Sequence, residues 1–101
     1  METMQVIERS DRKKHPTMIN VKILSFDEIM TLINSGIRHI DVLDQYGKLA
    51  SVKITSVKTW KKRPFDCEIN CKYGLYEYFT IYVNNGMLDM TIVKRLYNEQ
   101  D

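Results

Sequence analysis

The apolar positions of this chain change their spacing along its length, and each change marks an element. Residues 1–17 are polar and without a period. They end in the basic run Arg12-Lys13-Lys14-His15-Pro16 and read as a flexible basic tail. Met18 opens a loose alternation, with Ile19, Val21 and Ile23, that predicts a short strand. Phe26, Ile29, Met30 and Ile33 then fall at i, i+3, i+4 and i+7, the apolar stripe of a short helix. Ser25 and Glu28 have the spacing of a capping box, in which hydroxyl and carboxylate satisfy each other's backbone amides. Leu24 stands ready to staple against Ile29, and Asn34-Ser35-Gly36 supplies a C-terminal stop. Together these signals predict a helix over about residues 26–35.

Beyond it the period drops to two. Ile37 to Leu43 reads as a strand, Asp44-Gln45-Tyr46-Gly47-Lys48 as a turn, and Val52 and Ile54 alternate with Ser51, Lys53 and Thr55. At Thr55-Ser56-Val57 the apolar phase slips by one, the signature of a β-bulge. Phe65, Cys67, Ile69, Cys71 and Tyr73 share one face of the next strand. In the strand after Gly74, Leu75, Phe79, Ile81 and Val83 oppose Tyr76, Tyr78 and Tyr82. Asn84-Asn85-Gly86 is a hairpin signal. Leu88, Met90 and Ile92 form a last strand, and Val93 to Tyr97 a closing helical turn. The expected fold is therefore α+β: one short N-terminal helix packed on a four- to five-stranded antiparallel meander, an SH3-like or OB-like partial barrel. Residues 18–101 make one domain, because 101 residues leave no room for a second core.

Composition narrows the class without naming a function. Hydrophobic residues make up 44% of the chain, too many for a disordered segment. The apolar runs are too short for a membrane-spanning helix. No apolar block of a secretory signal stands in the first ten residues, and two cysteines in such a chain point to free thiols and the cytoplasm.

Charge changes the picture more. The net charge is only +2, yet Gln45 to Phe65 holds Lys48, Lys53, Lys58, Lys61, Lys62 and Arg63 with no acid. If the bulge near Ser56 forms, Lys53, Lys58, Trp60 and Lys62 emerge on one face of a long hairpin, with Arg63 beyond and Lys61 counted among the cations of the segment. Cations there would meet phosphates and Trp60 would stack on an unpaired base, which makes a nucleic-acid module one reading. The ordinary alternative puts Trp60 in the core and leaves the lysines as a solvated edge. Tyr76, Tyr78 and Tyr82 form the second candidate surface. With Trp60 they would anchor a protein partner, since tyrosine buries much area with few rotors to freeze.

Other chemistry finds little support. Cys67 and Cys71 lie four apart on a strand, about 13 Å at strand rise, too far for a disulfide. With His15 and His39 they reach the number of a zinc site, but their spacing matches no ligand pattern, and core thiols are the better reading. His39 and Asp41 share a strand face with Asp44 nearby, but no nucleophile motif or phosphate loop accompanies them. No catalytic residue, metal, cofactor or small-molecule substrate is therefore expected.

The segment Ser25-Phe26-Asp27-Glu28-Ile29, closed by Ser35-Gly36 and running into Ile37-Arg38-His39-Ile40, resembles small accessory proteins encoded by bacteriophages. That resemblance implies a host-takeover or counter-defence protein acting by stoichiometric binding. The preferred partner is a cellular protein, the alternative a nucleic acid.

Overall fold

The computed structural model describes residues 3–8 and 17–96. Helix α1 spans Phe26–Asn34, where the capping box predicts it. The amide of Glu28 donates to Ser25 Oγ, and the Ser25 amide donates to Glu28 Oε1. Lys22 adds an ion pair to the same carboxylate from the preceding strand. Ile29 and Ile33 bury the helix stripe, and Leu24 joins the same cluster, as a staple would.

The described residues form eight strands: β1 (Thr3–Glu8), β2 (Thr17–Ile23), β3 (His39–Leu43), β4 (Lys48–Trp60), β5 (Arg63–Tyr73), β6 (Glu77–Asn84), β7 (Met87–Leu88) and β8 (Thr91–Arg95). They form one sheet in the order β1-β2-β8-β3-β4-β5-β6-β7. This overturns the expected α+β meander of four or five strands; the chain is mostly antiparallel sheet with one short helix. The SH3-like or OB-like partial barrel falls with it, because β8 leaves sequence order to insert between β2 and β3. Residues 3–8, expected in the tail, pair with β2 along their whole length, while the basic run 12–16 lies outside the described residues. Residues 93–95, expected in a helical turn, extend β8.

A parallel pairing of Ile7 and Glu8 with Lys48 and Leu49 joins β1 to β4, closing β1, β2, β8, β3 and β4 into a five-stranded ring. Each ring strand sends one buried side chain inward: Val6, Val21, Val93, Leu43 and Leu49. Such burial is worth about 1.5–3 kcal/mol per large aliphatic side chain, so five converging residues hold the ring shut. At one mouth, Arg95 grips Asp41 through Nε and Nη2 at 3.0 and 3.3 Å, bonds Ser51 Oγ, and pairs with Glu8 of β1.

The sheet's other face carries the main core. Ile40, Val42, Val52, Ile54, Cys67, Ile69, Cys71, Ile81, Val83 and Ile92 pack there beneath α1. One face of the sheet is thus covered by the helix. The opposite face closes on itself in the ring and lies open beyond it, over β4, β5 and β6.

Candidate binding surface

The open face owes its side chains to one extra residue. Ile54 pairs with Cys71 and Ser56 with Asn70, so Thr55 has no partner position on β5. An added residue in a strand shifts side-chain alternation by one. Before the bulge Val52 and Ile54 point to the core and Lys53 outward. After it Val57 turns toward the core and Ser56 and Lys58 turn outward; a second register shift follows between Thr59 and Trp60, and Trp60 pairs with Arg63 at the hairpin end. The indole is half-buried and stands outside both core clusters. Its cover is cationic: Arg63 Cζ lies 4.4 Å from the ring centroid and Lys58 Nζ 5.3 Å.

The cross-strand register arranges this face in rows. His39, Lys53, Lys72 and Tyr78 succeed one another across β3 to β6. Ser56, Asn70 and Thr80 form the next row, linked by hydrogen bonds from Asn70 Nδ2 to Ser56 Oγ at 2.9 Å and from Thr80 Oγ1 to Asn70 Oδ1 at 2.7 Å. Lys58, Glu68 and Tyr82 make the third row. Trp60, Arg63 and Asp66 close the end, Arg63 lying 3.8 Å from the Asp66 carboxylate. Asp66 is also engaged by the amide of Asn85. That asparagine, at φ 53, and Gly86, at φ 76, form a two-residue hairpin turn with both positions left-handed.

Two candidate surfaces read separately from the sequence therefore meet on one face. Lys53, Lys58 and Trp60 stand there together with Tyr78 and Tyr82. Lys61 and Lys62 occupy the exposed turn between β4 and β5, so Lys62 belongs to the hairpin tip and not to the strand face. Tyr76 also departs from the expected row: it precedes β6 in a turn and is 87% exposed. Leu75, expected in the core, is 74% exposed in the same turn. Phe65 is exposed as well and meets Phe26 edge-on at 6.5 Å.

Lys72 was missed. It faces Lys53 across the strands and places Nζ 5.6 Å from the Tyr78 ring centroid. Its position opposite the Cys67, Ile69 and Cys71 face was the available signal. His39, Lys53, Lys72 and Tyr78 line an open depression of about 520 Å³.

The other candidate chemistry disperses. Cys67 and Cys71 are buried, free thiols, and burial pushes both pKa values up, Cys71 to about 11. His39 is exposed on β3, and His15 lies outside the described residues. Among the described residues no group of three or more His, Cys, Asp and Glu could hold a metal ion. Asp41 is engaged by Arg95 and Ser51, and Asp44 accepts from the amides of Tyr46 and Lys48 in its turn. No helix among the described residues is long and apolar enough to cross a membrane. Compared with known proteins, the chain matches no family model, no curated protein and no solved structure.

Proposed function

We propose that this chain is a non-catalytic binding protein that docks stoichiometrically on a cellular partner through the open face of β4, β5 and β6. The observation that carries the reading is the bulge at Thr55, which turns Lys58 onto the face that holds Tyr78 and Tyr82, with the Trp60 ring against Lys58 at its end. Large aromatic side chains on a solvated sheet are the residues that dominate binding energy at interfaces. Tyr76 extends this set at the end of the sheet. A protein partner is what these anchors alone would suit, and stoichiometric docking is what the resemblance to phage accessory proteins implies. Affinity capture with the full chain, run beside a Tyr78→Ser/Tyr82→Ser variant, tests it. A stoichiometric partner kept by the parent and lost by the variant supports the reading; equal capture by both contradicts it.

One observation favours a second reading, a nucleic-acid-binding module. Both Trp60 and Tyr78 have cations against their rings, a pairing that suits an anionic, base-bearing ligand.

A further inference from the structure

Lys53 and Lys72 stand directly opposite each other on the open face, with no acid paired to either among the described residues. Like charges in that position repel and destabilise a sheet. Neighbouring Lys58 has Glu68 across from it, and Arg63 has Asp66. The two lysines at the depression lack such a counter-charge, and the depression is walled on one side by Tyr78. An anion seated between the ammonium groups would relieve the repulsion, and a flat ring bound to that anion would lie beside the phenol.

We infer that the open face binds single-stranded nucleic acid, with a phosphate held between Lys53 and Lys72 and unpaired bases stacked on Tyr78 and on the Trp60–Arg63 pair. The inference rests on the second of the two readings above, the nucleic-acid-binding module on the open face, and names the form of nucleic acid it takes. Geometry favours a single strand over a duplex. Tyr78 and Tyr82 lie about 13 Å apart along β6 at strand rise, whereas stacked bases in a duplex repeat about every 3.4 Å. The rings can therefore receive only bases splayed from one another, and duplex pairing conceals the faces they would stack on. Among the described residues, Lys61 and Lys62 add unpaired cations at the hairpin tip, beyond Lys58, which faces Glu68, and Arg63, which pairs with Asp66. Sequence preference is weak in this arrangement, because stacking and phosphate contacts do not read base edges.

The test is a fluorescence titration of the full chain with labelled oligo(dT) of about 16 nucleotides, repeated with a duplex of the same length. Neutralising about four phosphates predicts an affinity that falls roughly 50-fold for a fourfold rise in salt. Lys53→Gln/Lys72→Gln empties that one phosphate seat without adding strain, and flattens the log–log salt slope by about 0.7. Tyr78→Ser weakens binding at least about fivefold at every salt concentration. Absent binding at low salt, indifference to both variants, or equal affinity for the duplex overturns the inference. If oligo(dT) does not bind while a captured protein is lost in Tyr78→Ser/Tyr82→Ser, the nucleic-acid assignment fails and the binding surface stands. If both assays are blind to the variants, the surface itself is wrong.

Discussion

Lys53 and Lys72 are cross-strand neighbours on one face of β4 and β5, two cations where a sheet would be steadier with opposite charges. A Lys53→Glu substitution turns the repulsive pair into an attractive one. The folded state should gain about 0.2–1 kcal/mol in chemical denaturation at low salt. Most of the gain should vanish at high salt, where exposed pairs are screened. Oligo(dT) binding should weaken in the same variant. A protein that becomes more stable as it loses affinity carries charge for recognition, not for folding.

Arg95 ties three strands at the mouth of the ring: Asp41 of β3, Ser51 of β4 and Glu8 of β1. Arg95→Ala leaves two part-buried carboxylates without their cation and should cost about 1–3 kcal/mol of stability. The loss should concentrate in β1, which the network holds from one end. Amide exchange in residues 3–8 should accelerate more than in β5. Uniform acceleration throughout the sheet would show that the network does not fasten β1.

The helix start carries a pH signature. The Lys22 ammonium, then the Ser25 amide, hold the Glu28 carboxyl down from its ordinary value of 4.5 to about 2. A carboxyl with a lowered folded-state pKa stabilises fully above its unfolded value and loses that contribution as pH falls. Stability should therefore decline between about pH 4.5 and 2 through this group. Glu28→Gln should remove that part of the decline, seen in denaturation curves across the range. Ser25→Ala should cost about 1 kcal/mol at neutral pH through the lost cap.

Burial keeps the Cys67 and Cys71 thiols protonated within the main core. A thiolate is the reactive form, so both should resist a disulfide reagent at neutral pH until the chain is unfolded. Rapid labelling of the folded protein would place them nearer solvent than the packing under α1 does.

Local signals were legible, and long-range ones were not. Ser25 with Glu28 announces a helix start within four residues. Asn85-Gly86 announces a hairpin, and the phase slip at Thr55 announces a bulge because alternation is counted over a few positions. The closing of the ring has no such mark. β1 buries only Val6 fully, and Met4, Val6 and Ile7 are too short a run to mark a strand; its place is set by pairing with β2 and β4 and by the ion pair from Glu8. Thr91–Arg95 carries no sign that it belongs between β2 and β3. Leu75 fits the alternation of its neighbours, yet β6 begins two residues later, so parity misassigned it along with Tyr76. On the open face, Lys53, Lys58, Trp60, Tyr78 and Tyr82 were each visible as candidates. That they share a surface with Lys72 depends on the register between β5 and β6, which no single strand reveals.

Trp60, the chain's single tryptophan, reports directly on whether the bulge turns aromatic and cationic side chains outward together. Its fluorescence should be quenched by iodide, and more strongly than by caesium, because Lys58 and Arg63 flank the indole and draw anions to it. Weak quenching by both ions would put the indole inside the core, and stronger quenching by caesium would deny the positive field around it.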